Sequence, residues 1–146
     1  MAMEMNIEKG MGKGMGEGAM MKQKIAKIIA IMFMSRTYAH MAHLATSSYA
    51  KHKALNDFYD NEDDSDIDIV ELADDLAEAA QGMWGKLNIP FEPLDGDVGD
   101  PVTALTVHLK RIEQLASSCK EPYIGNIIQE IQKLYRGTLY LLKELN

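Results

Sequence analysis

Imidazole and carboxylate side chains are the groups whose types and spacing could do chemistry in this chain. Histidine occurs at four positions, which are His40, His43, His52 and His108. His52 and Asn56 are four residues apart, as are Asp74 and Glu78, so each pair would share one face of a helix. Fe(II) and similar cations accept histidine nitrogen and carboxylate oxygen together. The spacing therefore predicts part of a metal site carried on helices.

Other site chemistries find little support in the sequence. Cys119 is the only cysteine, so neither a disulfide framework nor a cysteine zinc site can form within one chain. No Gly-x-Ser-x-Gly elbow is present, and the acidic run 60–68 lacks the glycine and glutamate positions of an EF-hand. The Glu-x-x-His pairs of intrachain di-iron bundles are absent. An intrachain ferritin-type di-iron site is therefore not expected.

Each candidate residue also has a simpler interpretation. His40 and His43 lie in an otherwise apolar segment and fit partly buried packing residues. Asp74 and Glu78 fit a solvated helix face, which is the commonest setting for acidic residues. His108 lies near an apolar stripe, and the sequence indicates no role for it.

The apolar pattern predicts the elements that would position these residues. Apolar side chains recur at helical spacing in four segments, and no alternation typical of strands competes with them. The predicted helices span about 22–46, 49–85 with an acidic interruption, 101–118 and 122–145. Ser48 and Asp100 are suitable N-caps, and Pro101 suits a first helical position. Four amphipathic helices predict an all-α four-helix bundle.

Composition divides the chain into a tail and one domain. Residues 1–21 hold seven of the 11 methionines, with glycine at alternate positions near the middle of the segment. This composition predicts a flexible Met/Gly-rich tail, and a Cu(I)-binding methionine site is the weaker alternative. The bundle is expected over 22–146, with an acidic insertion at 60–68 and a loop at 86–100.

Charge and hydropathy limit the partners and the location. The net charge of −7 disfavours bulk attraction to nucleic acid or anionic lipid, and residues 1–24 add only +1. Nucleic-acid binding is therefore weakly supported. No run of 18 apolar residues exists, so we expect no membrane association. The lone cysteine, and the lack of a cleavage site after the apolar segment 25–34, predict a cytoplasmic protein.

The spacing of the candidate ligands resembles a known iron site. His40-x11-His52-x3-Asn56, followed by Asp74-x3-Glu78, is similar to the His-x11-His-x3-Asp-x10-Asp-x3-Glu ferroxidase pattern of the Dps mini-ferritins. The resemblance implies a ferritin-like four-helix bundle, with iron as the metal. It also implies a homo-oligomer, either a dimer or a larger Dps-like shell. In that family histidines of one subunit and carboxylates of another share the site.

A closer resemblance is to small, uncharacterised Dps-like proteins of tailed bacteriophages. It is carried by Ser35-Arg36-x-x-Ala39-His40-x-x-His43, by residues 48–55 and by Phe58-Tyr59-Asp60. This resemblance implies a viral origin and a location in the cytoplasm of the infected bacterial host.

The sequence departs from the Dps pattern at several points. Asn56 stands where the pattern has a carboxylate, although Asp57 is adjacent. His40 and His43 both fit the first histidine position of the pattern. Asn56 and Asp74 are 18 positions apart, where the pattern has 11, and the excess matches residues 61–67. If the helix were continuous, residues 61–67 would form about two of its turns. Their polar composition favours a loop instead.

Two functions stay open on the sequence alone. The first is binding of iron or a similar divalent cation, with weak ferroxidase activity at a degraded site. Its candidate ligands are His40, His43, His52, Asn56, Asp57, Asp74 and Glu78. The second is a non-enzymatic phage protein that binds a host protein through the bundle surface or the acidic segment, because an acidic surface can mimic nucleic acid.

Overall fold

The computed structural model describes residues 16–61 and 67–144, and these residues are all-helical, with no strand among them. The helices are α1 (Glu17–Ala45), α2 (Tyr49–Tyr59), α3 (Ile69–Trp84), α4 (Pro101–Ala116) and α5 (Pro122–Glu144). The predicted all-α class is confirmed. None of these helices is long and apolar enough to cross a membrane.

Helix α1 begins earlier than the sequence predicts. It starts at Glu17 rather than near residue 22, because Met21 is buried in the core and extends the apolar face of the helix. Gly18 lies directly against Trp84 at the end of α3, where an added Cβ would be 3.0 Å from the indole. Residues 17–21 are thus helical rather than part of a tail, and residues 1–15 of the predicted tail lie outside the described residues.

The acidic interruption separates α2 from α3. Helix α2 ends at Tyr59, and α3 begins after Asp68, whose Oδ1 accepts the Val70 and Glu71 N–H groups at 3.0 Å each. Oδ2 of Asp68 accepts the Asn61 N–H at 3.1 Å, so one carboxylate joins the two ends of the segment. The continuous-helix alternative is therefore wrong, and residues 62–66 of the predicted insertion lie outside the described residues.

The helices pack around one core. Both α1 and α5 contact α2, α3 and α4. Helices α1 and α4 are antiparallel. Lys24, near the start of α1, is hydrogen-bonded to Ser118 just after the end of α4. Ser35, further along α1, is hydrogen-bonded to His108 in the middle of α4. Helices α1 and α5 are not backbone neighbours, and they lie diagonally across the core.

A long connection over residues 85–100 crosses the bundle beside α1. Glu92 pairs with Lys27 of α1, and Tyr38, eleven residues later, donates a hydrogen bond to the Asp97 carbonyl. Eleven helical residues span about 16 Å, so the connection returns the chain along the side of the bundle. It therefore links two helices that run in the same direction.

Gly96 lets this connection turn tightly against the bundle. Its φ of 101° is in the left-handed region, and an added Cβ would lie 3.0 Å from Ala104 Cβ and 3.4 Å from the Tyr38 ring. We expect Gly96→Ala to lower the free energy of unfolding by about 1–3 kcal/mol. Urea unfolding measures the change.

Gly137→Ala is the matched control, because Gly137 lies within α5 and nothing stands within 4 Å of its added Cβ. Alanine is the better helix former, so the control should be neutral or up to about 1 kcal/mol more stable than the natural protein. Equal effects of the two substitutions would contradict the close packing at Gly96.

Candidate functional site

Two histidines join α1 to α2 through a reciprocal pair of hydrogen bonds. His43 Nδ1 lies 2.9 Å from the His52 carbonyl oxygen, and His52 Nδ1 lies 3.1 Å from the His43 carbonyl oxygen. A carbonyl can only accept, so Nδ1 carries the proton in both rings. In the neutral imidazoles, the lone pair is therefore on Nε2. This is the tautomer that binds a metal through Nε2.

Aromatic contacts complete a histidine cluster, which we define as His40, His43, His52 and Tyr59. The His43 and His52 rings stack with centroids 3.5 Å apart and planes at 30°. His40 stacks on Tyr59 at 4.6 Å, and its ring centroid is 6.2 Å from that of His43. Tyr59 is buried, and this burial, with the Asp60 charge as a smaller cause, raises the pKa of its phenol. His43 and His52 are half-buried at the base of the cluster, and His40 is exposed at its rim.

The stacking limits how the cluster could hold a metal. Imidazole lone pairs lie in the ring plane, so two stacked rings do not direct their Nε2 atoms at one point. Over residues 16–61 and 67–144, no three His, Cys, Asp or Glu side chains converge closely enough to hold an ion. Any metal at the cluster therefore needs ligands from elsewhere.

The predicted oxygen ligands lie apart from the histidines within one chain. Asn56 Nδ2 donates to the Asp60 carbonyl at 3.2 Å, and Asp57 is 3.5 Å from the Lys53 ammonium. Asp74 and Glu78 are exposed on α3. The structure thus brings His40, His43 and His52 together but does not bring the acidic residues to them.

A second polar group, missed by the sequence analysis, lies inside the bundle. Tyr135 of α5 donates a hydrogen bond to Ser35 Oγ at 2.7 Å, and Ser35 Oγ lies 2.9 Å from His108 Nδ1. These three side chains, which we call the buried polar chain, tie α1, α4 and α5 together. Because Tyr135 donates to Ser35, the Ser35 hydroxyl can donate to His108. Ser35 is fully buried, so no substrate reaches it as a nucleophile.

Burial sets the protonation of the buried polar chain. It lowers the pKa of His108 to about 4, helped by the Arg111 charge and opposed by Asp95 and Glu92, so the imidazole is neutral at pH 7. It also raises the pKa of Tyr135 above its ordinary value. The sequence signal for this group was three polar positions on apolar helix faces, including a serine directly after the apolar segment 25–34.

Comparison with known proteins places this helical chain in a family. Residues 43–142, more than half of the chain, match the family described as "Family of unknown function (DUF5856)", and the chain belongs to it. The match begins at His43 and ends within α5, so it includes His52 and all of α2, α3 and α4.

A phage protein is similar to most of the chain. The uncharacterised 14.6 kDa protein in the mobD–ri intergenic region of Enterobacteria phage T4 is 28% identical over 121 residues, covering 82% of this chain and 88% of that protein. No solved structure matches the chain. The phage relative agrees with the expected phage resemblance, and neither match names a Dps or ferritin family.

Proposed function

We propose that the chain is a ferritin-like four-helix bundle in which α2 and α3 together occupy one helix position. Two observations support this architecture. Helices α1 and α5 lie diagonally, and each contacts α2, α3 and α4. The connection 85–100 is a single long crossover beside α1, and one long crossover is the feature that ferritin-like bundles add to a four-helix core.

We infer that the histidine cluster binds iron or a similar divalent cation. The observation that carries this proposal is the reciprocal donation from His43 Nδ1 and His52 Nδ1 to main-chain carbonyls. Metal-binding histidines commonly donate their second ring N–H to such an oxygen, which fixes the ring and leaves Nε2 free for the ion. Because the stacked His43 and His52 rings do not direct both Nε2 atoms at one point, one of the two would bind the ion, and exposed His40 would supply a second nitrogen at the rim of the cluster.

The remaining ligands would come from a second copy of the chain. Asp74 and Glu78 project from α3 into solvent one helical turn apart, and neither forms a hydrogen bond or an ion pair among the described residues. Met41, Leu44 and Tyr49 are exposed beside the histidine cluster, and Leu44 is 72% exposed. Apolar surface next to polar ligands suits an interface between subunits. A homo-oligomer therefore completes the site in this proposal.

The chemistry of such a site would be slow oxidation of ferrous iron. Fe(II), the substrate, would give one electron to dioxygen to form Fe(III) and superoxide, and imidazole and carboxylate ligands would stabilise the ferric ion. Asn56 offers only a neutral amide, and its Nδ2 is directed to the Asp60 carbonyl. One carboxylate fewer than in the Dps pattern is expected to weaken the site rather than abolish it.

Aerobic titration with Fe(II), followed by ferric absorbance, tests this function. We expect saturable oxidation faster than in buffer, and at least tenfold weaker Fe(II) affinity in His52→Ala, because that variant loses one candidate ligand and the ring that stacks on His43. Lys53→Ala is the matched control, since Lys53 is exposed on the same helix. Oxidation no faster than in buffer, with no Fe(II) binding under nitrogen, would contradict the proposal.

A second candidate function, binding of a host protein, is favoured by the crossover connection. Phe91 is fully exposed beside a groove of about 360 Å³ that Phe33, Ile89 and Leu94 also line. An exposed aromatic anchor next to an apolar groove is typical of a protein-binding surface. Capture from host lysate that Phe91→Ala loses and His52→Ala retains would support this candidate over the first.

A further inference from the structure

An apolar groove lies between the outer face of α1 and the crossover connection, and we call it the α1 groove. Ala30, Phe33 and Thr37 line it from α1, and Ile89 and Leu94 line it from the connection. Its volume is about 360 Å³. Because a cavity of about 150 Å³ can hold a benzene ring, the α1 groove has room for an aromatic side chain.

Phe91 stands at the rim of the α1 groove with its ring in solvent. Its exposure is 103%, so no described part of its own chain covers it. Pro90 and Pro93 restrict the backbone on either side of it. The next residue, Glu92, is tied to α1 through its ion pair with Lys27. A restrained segment therefore presents this ring outward, beside a groove that the ring does not fill.

Apolar surface continues along α1 beyond the α1 groove. Phe33, Met41 and Leu44 lie within about a quarter turn of one another around the helix axis. Phe33 and Met41 are partly exposed, and Leu44 is mostly exposed. This stripe joins the α1 groove to the surface beside the histidine cluster.

The exposed area on this face suits a pair of chains. Taking about 200 Å² for one uncovered large side chain, about 700 Å² is exposed at Phe33, Met41, Leu44, Ile89, Phe91 and Leu94. Two copies that face each other would bury about 1,400 Å² in total, and stable interfaces bury about 1,200–2,000 Å². The apolar face alone is thus large enough for a dimer.

Little charge opposes contact at the α1 groove. Among the described residues that line it, Glu92 is the charged one, and it is paired with Lys27 and Arg111. A second chain would therefore cover no unpaired ion in the groove, which avoids the desolvation cost of an isolated charge.

We propose that a second copy of the chain docks on this face and inserts its Phe91 into the α1 groove. The ring and the groove lie side by side, so a two-fold axis between them places each Phe91 in the groove of the other copy. Such a symmetric pair fills both grooves and covers both rings at once. An unrelated partner would have to supply both a side chain for the groove and a pocket for Phe91.

The inference rests on the homo-oligomer of the proposed function and identifies its anchor, but it does not require iron. Sedimentation equilibrium of the full chain, in a chelating buffer without added metal, tests it. We expect reversible self-association that Phe91→Ala weakens by about 100-fold or more, because each dimer would lose its central aromatic anchor twice. Tyr140→Ala is the matched control, since Tyr140 is 64% exposed on α5, which lies diagonally across the core from α1. It should leave the dissociation constant nearly unchanged.

A second variant tests the groove itself. Thr37→Glu puts a carboxylate into the α1 groove from an exposed position and keeps Phe91, so it should also weaken self-association. Mixed with Phe91→Ala, it supplies the ring while the other chain supplies an open groove. One ring is then seated in each mixed dimer, so the mixed dimer should be tighter than either variant alone.

A chain that stays monomeric at every concentration would overturn the proposal, as would equal weakening by Phe91→Ala and Tyr140→Ala. A mixture that associates no more tightly than its two components would also overturn it. A monomer that captures a host protein through Phe91 would assign the groove to that protein instead. Because no iron is present, failure of this interface is distinguished from failure of the iron site.

Discussion

Ser35→Ala is expected to lower the free energy of unfolding by about 2–5 kcal/mol, because it leaves two buried polar groups without partners. The Tyr135 hydroxyl would lose its acceptor, and His108 Nδ1 would lose its hydroxyl partner. Both groups are almost fully buried, so water cannot replace the lost bonds at low cost. The change destabilises even though alanine is the better helix former. Urea unfolding measures it.

Tyr135→Phe is the matched variant for this prediction. It removes the hydroxyl at the end of the buried polar chain and leaves Ser35 bonded to His108. We expect a loss of only about 1 kcal/mol, the usual contribution of one hydrogen bond. Equal free energies of unfolding for Ser35→Ala and the natural protein would contradict the claim that Ser35 hydrogen-bonds both Tyr135 and His108.

Stability is expected to fall as the pH is lowered from about 6.5 to about 4, with up to about 3 kcal/mol of the loss due to His108. Burial is the main cause of its lowered pKa, and the Arg111 charge adds to it. In this pH window the unfolded chain binds a proton at His108 and the folded chain does not. The contribution of His108 is thus fully present above pH 6.5.

The difference in the free energy of unfolding between the natural protein and His108→Gln isolates the contribution of His108 to the pH dependence. Glutamine does not titrate, while carboxylates and the other histidines affect both proteins alike. The stability difference between the two proteins should therefore narrow as the pH falls through the window. A difference that stays constant from pH 7 to pH 4 would contradict the assignment of the acid sensitivity to His108.

The helices were largely predictable because their apolar periodicity and their caps agree. Asp100 with Pro101, and Ser48, begin α4 and α2 as expected. The start of α1 was not predictable from composition, since glycines near Gly18 disfavour a helix locally. Packing of that turn against Trp84 overrides the local preference.

The candidate site was predictable only in part. Spacing alone could not choose between His40 and His43, because both lie near the end of α1. The structure pairs His43 with His52 through main-chain carbonyls and stacks His40 on Tyr59. That pairing depends on the hairpin between α1 and α2, which brings residues nine apart face to face. No periodicity within a single helix encodes it.

The buried polar chain was missed for a different reason. Ser35, His108 and Tyr135 are far apart in sequence and lie on three helices. Each looks like an isolated polar residue on an apolar face. Only the packing of α1, α4 and α5 shows that the three satisfy one another.

The central claim is that histidines of one copy and carboxylates of another bind iron together. Mixing two inactive variants tests it most directly. One variant carries His43→Ala with His52→Ala, and the other carries Asp74→Asn with Glu78→Gln. Each variant alone should lack saturable Fe(II) oxidation, because every site in its oligomer lacks one kind of ligand.

Co-refolding the two variants in equal amounts should restore activity in mixed oligomers. Half of the dimers would be mixed, and each would hold one intact site of two, so we expect about a quarter of the natural rate. Restored oxidation would support the shared iron site. A mixture no more active than its separate components, although the oligomers have exchanged subunits, would contradict it.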